Sequence, residues 1–213
     1  MFQSVISFLS SLAFALVAVF GINLGTKEPR YDIEDRIGGN VEIRHYPARI
    51  AAETTVDVGK SDNARREAFM RIAGYIFGAN QSRQKLDMTS PVEVKSTGEK
   101  IDMTAPMEVN ESQGQIVMRF FMPSNYTKAE LPEPTDSRVK LVEILPTTVA
   151  ALRFSGSSNP SVVADRTTEL ANAIKSTKWK SSGPSSAYFY NPPWTIPFLR
   201  HNEVIIPVTS EHK

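Results

Sequence analysis

The stretch "KLDMTSPVEV" (85–94) is followed, after a short spacer, by "KIDMTAPMEV" (100–109), and seven of the ten positions are identical. In each copy the apolar residues fall on every second position. This period is typical of a β-strand with one buried face, whose Lys, Asp, Thr, Pro and Glu residues lie on the opposite, polar face. The duplication therefore predicts two matching strands that feed one core.

The spacer "KSTGE" (95–99) is polar and contains one glycine, which is typical of a hairpin loop. A two-residue loop would align the two apolar faces but would place Glu93 opposite Asp102, two like charges. A register moved by two residues removes that conflict and keeps the faces, so both registers stay open. Pro91 and Pro106 cannot donate a ladder hydrogen bond and therefore predict strand edges or bulges.

The composition is that of a globular protein. The chain has 213 residues, of which 41% are hydrophobic and 22% charged, and its net charge of +1 argues against a nucleic-acid partner. The absence of cysteine excludes disulfides, thiolate nucleophiles, cysteine-ligated zinc, iron–sulfur clusters and covalent c-type haem attachment. It leaves the redox compartment open.

The N-terminus differs from the rest of the chain. Residues 2–24 carry no charged side chain, and the apolar part is about long enough to cross a ~30 Å hydrocarbon core. One interpretation is a secretory signal peptide, although no basic residue precedes the apolar run. The other is an uncleaved membrane anchor, and both are favoured over a buried core helix. We therefore predict a protein that is membrane-anchored or exported, with an anchor or signal at 1–26, one domain at 27–209 and a tail at 210–213.

A second repeat operates at longer range. The stretch "IRHYPARIAAETT" (43–55) matches "VEILPTTVAALRF" (142–154) at an offset of 99, with recurring Pro47/Pro146, Ala51/Ala150 and Ala52/Ala151. Each copy predicts a strand, a turn at proline and a second strand, followed by a helix and further strands. The sequence thus predicts an α+β fold with a two-fold β-β-α-β-β repeat, in which the sheet curls into a barrel that carries two helices.

The two helices have recognisable ends. The first is predicted to begin after an N-cap at Asp62 and to stop at Gly78. The second is predicted to have Asn159 as its N-cap and Pro160 at its first helical position. The predicted buried faces are Ala68, Phe69, Ile72, Tyr75 and Ile76 in the first helix and Val163, Leu170 and Ile174 in the second.

The chain resembles the SOUL haem-binding family. The resemblance runs from about Val41 to Val204 and rests on several motifs in the same order: "VEIRHYPA" (41–48), "AFMRIAGYIFGANQSRQKLDMTSPV" (68–92), "KIDMTAPMEV" (100–109), "MPSNYTKAELPEPTDSRVKLVEILPTTVAALRFSG" (122–156) and "YNPPWTIPFLRHNEV" (190–204). It implies a distorted antiparallel barrel flanked by two helices with internal two-fold symmetry. It also implies non-covalent binding of haem, or of a metal-free porphyrin, by a carrier, buffer or sensor.

The resemblance also implies site residues. His45 matches a histidine that one branch of the family carries as a candidate axial ligand of the haem iron, with a structural role as the alternative. Arg66 matches an arginine that meets a propionate. An apolar wall is implied for Phe69, Ile72 and Tyr75 on the first helix and for Pro193, Trp194 and Phe198 in a later loop.

Some positions depart from the family pattern. Where other members offer propionate-binding lysines, this chain has Gly74 and the Thr195-Ile196 region, and Arg71 and Arg200 are the nearest substitutes. His201 is interpreted as a surface residue, and the clustered methionines as core-facing filler, with a pocket-lining role left open for Met88 and Met103.

No catalytic constellation is legible in the sequence. It has no Ser-His-Asp order, no evident pair of carboxylates, no glycine-rich phosphate loop and no HExxH motif. We therefore predict a binding protein with no catalytic residues, tetrapyrrole as its small-molecule partner and a membrane as its second partner. Two alternatives stay open: a module for another amphipathic planar molecule and, less favoured, a hydrolase on the same fold.

Overall fold

The computed structural model describes residues 28–60, 63–81, 98–102, 104–191 and 195–211. The helices in this part of the chain are α1 (Ala64–Ile76) and α2 (Pro160–Lys175), with 3-10 turns at Val58–Lys60 and Pro197–Leu199. The strands are β1 (Asp32–Ile37), β2 (Val41–Tyr46), β3 (Arg49–Asp57), β4 (Asn80–Gln81), β5 (Met107–Ser112), β6 (Gln115–Phe121), β7 (Glu133–Pro134), β8 (Val139–Ile144), β9 (Thr147–Phe154), β10 (Trp179–Ser181), β11 (Ser186–Phe189) and β12 (Asn202–Ser210).

These elements form two compact units. The central unit has Tyr46–Thr147 as its main segment, and the terminal unit combines Tyr31–His45 with Thr148–Lys213. The central unit contains α1 and the strand order β5-β6-β3-β8, and the terminal unit contains α2 and the order β1-β2-β9-β12-β11, with β10 also paired to β12. The pairs for which the register is known are antiparallel. The predicted α+β class, antiparallel strands of a distorted barrel with two helices, is confirmed.

The two-fold repeat is present in the strand order. Each unit pairs the strands that correspond in the repeat: β8-β3-β6-β5 in the central unit and β2-β9-β12-β11 in the terminal unit. Each leading strand therefore belongs to the other copy's unit, because the chain changes unit near Pro47 and again near Pro146. The β-β-α-β-β prediction thus has the right elements in the right order.

The register of this repeat differs by one residue from the predicted offset of 99. In the central unit Ala52 pairs with Phe120, whose ring lies 6.1 Å from that of Phe69 on α1, so Ala52 faces the helix. In the terminal unit Ala150 pairs with Ile206, and both belong to the buried cluster that contains the α2 residues. The alanines that face the helix in the two units, Ala52 and Ala150, are thus 98 positions apart. The sequence does not reveal this one-residue shift, because each copy has two adjacent alanines and all four are buried.

The ends of α1 are close to the predicted ones. Asn63 is the N-cap, and its side-chain oxygen accepts a hydrogen bond from the Arg66 backbone N–H at 3.4 Å; the predicted cap, Asp62, lies outside the described residues. At the other end Gly78 has φ +113°, which favours glycine, and the Ala79 N–H donates to the Gly74 carbonyl at 2.8 Å. Gly74 itself lies inside the helix, where glycine costs about 0.5–1 kcal/mol relative to alanine.

Helix α2 begins as the sequence predicts. Asn159 is its N-cap and Pro160 its first residue, although the Asn159 side chain makes no capping hydrogen bond. Leu170 and Ile174 are buried, and Val163 is half-buried against the same cluster. The apolar period of this helix therefore identified its buried face correctly.

The predicted hairpin of the doubled motif is only partly within the described residues. The first copy and Met103 lie outside them. In the second copy Ile101 is buried but lies in no strand, because its N–H donates to the Ile76 carbonyl at 3.1 Å and the Asn80 side chain bonds the Glu99 backbone. The backbone that the hairpin would need is thus bonded to the end of α1, and a strand begins only after Pro106.

The hairpin that the structure does show joins β5 to β6. Ser112 pairs with Gln115, so the loop consists of Gln113 and Gly114, which have φ values of +53° and +75°. Two successive positive φ values are the geometry of the tight turn that matches the twist of a hairpin. The "QG" pair at 113–114 is the sequence signal for this turn.

The polar face predicted for the motif holds for only part of its second copy. Lys100 and Asp102 are exposed, but Thr104 is 7% exposed and Glu108 is 8% exposed, so the prediction is wrong for the later part of this stretch. The Thr104 hydroxyl donates to the Phe121 carbonyl, and the Glu108 carboxylate lies 3.5 Å from an Arg119 guanidinium nitrogen. These bonds allow polar groups to be buried, because each has a partner.

We expect Thr104→Val to lower the free energy of unfolding by about 1–2 kcal/mol, because the isosteric side chain loses the bond to the buried Phe121 carbonyl. Thr168→Val is the matched control. The Thr168 hydroxyl also bonds a carbonyl, that of Ala164, but it is exposed and water can replace it. Urea unfolding of both variants measures the difference; equal effects would mean that the Thr104 bond contributes nothing specific.

The N-terminal prediction lies outside the described residues and stays a prediction. In the part of the chain that the structure describes, no helix combines the length and apolar character needed to cross a membrane.

Candidate functional site

Helix α1 exposes an apolar surface. We call Arg66, Phe69, Met70, Gly74 and Phe77 the outer face of α1. Met70 is 59% exposed, Phe77 58% and Phe69 37%. Residues three, four and seven apart lie on one side of a helix, so these side chains form a continuous strip along its solvent side. A strip of large exposed apolar side chains marks an interaction site more often than an isolated exposed residue does.

A cation stands at the N-terminal end of this strip. Arg66 is exposed, and among the described residues none forms a hydrogen bond or ion pair with its guanidinium group. Its neighbour Arg65 differs, because it pairs with Glu111 at 3.1 Å. A cation in the first turn of a helix is disfavoured by the helix dipole, whereas an anion bound there is favoured. Arg66 is therefore arranged to meet an anionic group at the end of an apolar surface.

The other two predicted residues of this helix lie in the core of the central unit. Ile72 is 0% exposed and Tyr75 is 1% exposed. The Tyr75 hydroxyl donates to the Pro132 carbonyl at 3.0 Å, which satisfies its polar atom inside the core. They lie on the opposite side of α1 from Met70 and Phe77. That they contact a ligand stays a prediction.

Sequence reasoning did not single out Met70 and Phe77. They follow Arg66 by four and eleven residues, which is the spacing of a single helix side. The predicted buried face of this helix was Ala68, Phe69, Ile72, Tyr75 and Ile76. All are buried except Phe69, which is 37% exposed although its ring contacts Phe120. Large apolar residues left over on the other side were the signal that could have found them.

Arg71, the nearest substitute for a missing lysine, is engaged elsewhere. Its guanidinium donates to the Thr55 carbonyl at 3.1 Å and pairs with Glu67. It borders a polar cavity of about 420 Å³ whose lining is mostly charged or polar: Thr55, Val56, Asp57, Lys60, Glu67, Arg71, Gln115 and Arg138. Lys60 and Gln115 both bond Asp57. Since a macrocycle needs predominantly apolar walls, this cavity does not fit one.

His45 lies on β2 in the terminal unit. Its Nδ1 is 3.0 Å from the Thr148 hydroxyl and 3.8 Å from a Glu34 carboxylate oxygen, and its side chain is 39% exposed. Among the described residues no hydrogen bond or ion pair involves its Nε2. A histidine that ligates a metal through one ring nitrogen generally holds the other in a hydrogen bond, which fixes the ring. His45 therefore fits the requirements of a ligand.

His201 is not the surface residue that the sequence suggested. Its Nε2 lies 2.8 Å from a carboxylate oxygen of Glu203, and its ring stacks on Tyr190 with centroids 3.8 Å apart. Glu203 is 1% exposed and also accepts hydrogen bonds from Tyr190 at 2.8 Å and from Arg44 at 2.9 and 3.1 Å. Because Nε2 is already used, His201 holds the fold together in this unit.

Glu203 is ionised throughout the neutral range. Burial alone would raise its pKa, but hydrogen bonds from His201 and Arg44 and the charge of Arg44 outweigh burial and lower the pKa from 4.5 to about 2. A carboxyl with a lowered pKa contributes stability that is present above the unfolded-state pKa. That stability is lost as the pH falls through the folded-state value.

We expect Glu203→Gln to reduce the free energy of unfolding by roughly 3 kcal/mol at pH 7. This is the free energy that corresponds to lowering the pKa of the carboxyl from 4.5 to about 2. The difference from wild type should shrink as the pH falls from about 4.5 toward 2. Urea unfolding across this range checks it. Glu169→Gln is the control, because that exposed carboxylate pairs with Arg166 and should cost less than about 1 kcal/mol. A difference that does not change with pH would contradict the assignment.

The loop before β12 contributes further apolar surface in the terminal unit. Phe198 is 72% exposed. Arg200 donates to the Thr195 carbonyl at 2.8 Å, and Thr195 is buried. Pro193 and Trp194 lie outside the described residues, so their predicted place in an apolar wall stays a prediction. Among the described residues no cluster of three or more His, Asp or Glu side chains could hold a metal ion.

The outer face of α1 thus combines an apolar strip with a cation that no described residue pairs with, on an α+β barrel fold with an internal repeat. The SOUL heme-binding protein model matches residues 26–207. The chain belongs to the SOUL heme-binding protein family.

Two curated relatives agree with this assignment, and one solved structure has a similar fold. Heme-binding protein 2 of Mus musculus is 27% identical over 169 residues, which cover 78% of this chain and 77% of the relative. Heme-binding protein 1 of Xenopus tropicalis is 26% identical over 178 residues, which cover 80% and 84%. The C-terminal domain of EcmrR has a similar fold, with a TM-score of 0.55 at 11% identity, covering 84% of this chain and 98% of that domain.

Proposed function

We propose that this protein binds haem or a related tetrapyrrole non-covalently on the outer face of α1. The observation that carries the proposal is the exposed apolar strip of Phe69, Met70 and Phe77, with Arg66 at its end, where no described residue pairs with the Arg66 guanidinium. Family membership supports the ligand class, since the matching family and both relatives carry heme binding in their names.

The residues present suit the two chemical parts of such a ligand. The propionates of haem are anions, and Arg66 offers a guanidinium in the first turn of a helix, where a bound anion is favoured. The macrocycle is apolar, and a methionine and two phenylalanines supply adaptable and aromatic contact surface. Removing this surface from water supplies the driving force for binding, at roughly 25 cal/mol per Å².

His45, on β2 of the terminal unit, is proposed separately from the outer face of α1: the family resemblance implies that it is an axial ligand of the haem iron. A neutral imidazole with Nδ1 held by the Thr148 hydroxyl presents Nε2 as a lone-pair donor, which is the form that ligates iron. When bound, the haem iron supplies a coordination site that a metal-free porphyrin lacks. A residue that ligates iron therefore distinguishes the two ligands, whereas the apolar strip does not.

The proposed role is that of a non-catalytic carrier, buffer or sensor. The uncharged segment before Lys27 supports attachment to, or export across, a membrane. Binding without chemistry requires only a surface and a cation, and both are present on α1.

We expect Arg66→Ala to weaken hemin and protoporphyrin IX binding about tenfold, because one propionate of each ligand loses its charge-assisted partner. Arg65→Ala is the matched control: it removes the same side chain one residue away, where Glu111 is the partner, and should change affinity less than about threefold. Met70→Ser should weaken both ligands as well. Titrations followed by absorbance and tryptophan quenching measure the affinities; equal losses in the two arginine variants would contradict a specific role for Arg66.

We expect His45→Ala to shift the Soret band of the hemin complex and to weaken hemin binding, with protoporphyrin IX little affected, because only hemin offers an iron to ligate. Thr148→Val should produce a smaller shift in the same direction, since it releases Nδ1 without removing the imidazole. An unchanged hemin spectrum in His45→Ala would assign His45 a structural role only.

A further inference from the structure

Gly74 has no structural reason to be a glycine. It lies inside α1, where its backbone is helical, and it is not among the glycines with positive φ. Among the described residues, a Cβ built at this position would meet only the Ala79 Cβ, at 3.8 Å, an ordinary van der Waals contact. Alanine would therefore fit and would also be a better helix former.

A contact between an alanine at position 74 and Ala79 would stabilise the C-terminal end of α1. The Ala79 N–H donates to the Gly74 carbonyl at 2.8 Å, and Gly78 between them has φ +113°. Helices that end in this way commonly place a hydrophobic contact between the two residues that share this bond. Gly74 leaves that contact unmade, so the sequence forgoes stability at this position.

What Gly74 does provide is a gap in the outer face of α1. Met70 precedes it by one turn and Phe77 follows it by almost one turn, and both are more than half exposed. At about 1.5 Å per residue, the Cα atoms of Met70 and Phe77 are about 10 Å apart along the axis, comparable with the width of a porphyrin macrocycle. Gly74 is partly exposed, and among the described residues only the Ala79 Cβ comes within 4 Å of the position that a Cβ at residue 74 would occupy.

We infer that Gly74 is the specificity-determining residue of the outer face of α1: its missing side chain lets a flat ring approach the helix backbone between Met70 and Phe77. This inference rests on the proposed binding of a tetrapyrrole to that face. It adds that the face selects for planarity, since a flat ring can use the gap and a twisted apolar molecule gains little from it.

Three substitutions of Gly74 test this. Gly74→Ala adds one methyl group, Gly74→Leu fills the gap with apolar bulk, and Gly74→Lys fills it while adding a cation. Asn172→Leu, at an exposed position of α2, is the control for added bulk on a helix surface. The probes are protoporphyrin IX, hemin and the twisted dye 1-anilinonaphthalene-8-sulfonate. Thermal midpoints are measured for each variant without ligand.

We expect Gly74→Leu and Gly74→Lys to weaken both porphyrins at least tenfold, with the dye changed less than threefold and Asn172→Leu without effect. Gly74→Ala should weaken the porphyrins less and raise the thermal midpoint by about 2–4 °C, which shows that the loss is not caused by unfolding.

The lysine variant separates this inference from a purely electrostatic account. If the site lacked only a second cation, Gly74→Lys would tighten porphyrin binding, and that result would overturn the role of the gap. Affinities within twofold of wild type in Gly74→Leu, with Arg66→Ala still impaired, would also overturn it and leave the proposed function standing. A wild-type protein that binds neither porphyrin would overturn both.

Discussion

One buried carboxylate organises the terminal unit. Glu203 is 1% exposed and receives hydrogen bonds from Arg44 on β2, from Tyr190 after β11 and from His201 at the start of β12. Arg44 is 159 residues away in the chain. An uncompensated charge at this depth would be very unfavourable, so β2, which carries Arg44, must lie in the same sheet as β12, with β9 between them. The pairing of β2 with the second half of the chain is thereby enforced by charge as well as by backbone hydrogen bonds.

The same requirement explains which parts of the fold the sequence predicts well. Period-two and helical patterns identified the long strands of the repeat and both helices, because those patterns follow from burying one side of each element, but they missed β1, β4, β7 and β10. They could not show that Thr104 and Glu108 are buried, because the polar groups of both find partners on the neighbouring strand β6. The one-residue difference in the repeat has a similar origin. Adjacent alanines are alike in sequence, and only the helix packed against one of them reveals which side it faces.

The candidate site residues were also predicted only in part. The family motifs led to Arg66, Phe69 and His45. In the structure no described residue pairs with the Arg66 guanidinium, the Phe69 ring is partly exposed, and the Nδ1 of His45 lies within hydrogen-bond distance of the Thr148 hydroxyl. They also led to Ile72 and Tyr75, which lie in the core. A motif marks a segment, and the side of the helix that each residue occupies depends on what packs against it. Arg71 illustrates the same point, since its bonds to Thr55 and Glu67 are visible only in the fold.

Helix α1 carries three features that each oppose its own stability. Arg66 lies in the first turn, where the helix dipole disfavours a cation. Met70 and Phe77 expose apolar surface to water. Gly74 forgoes both helix propensity and a contact at the helix end. Each feature alone is unremarkable in a natural protein, but all three lie on one side of one helix, while the opposite side is packed without conflict. Local choices that disagree with stability tend to collect where a protein binds something, because the bound molecule restores what the free surface lacks. The proposed ligand, a flat apolar ring that carries an anionic group, matches all three features: the anionic group pairs with the cation, and the ring covers the apolar strip and the backbone at Gly74.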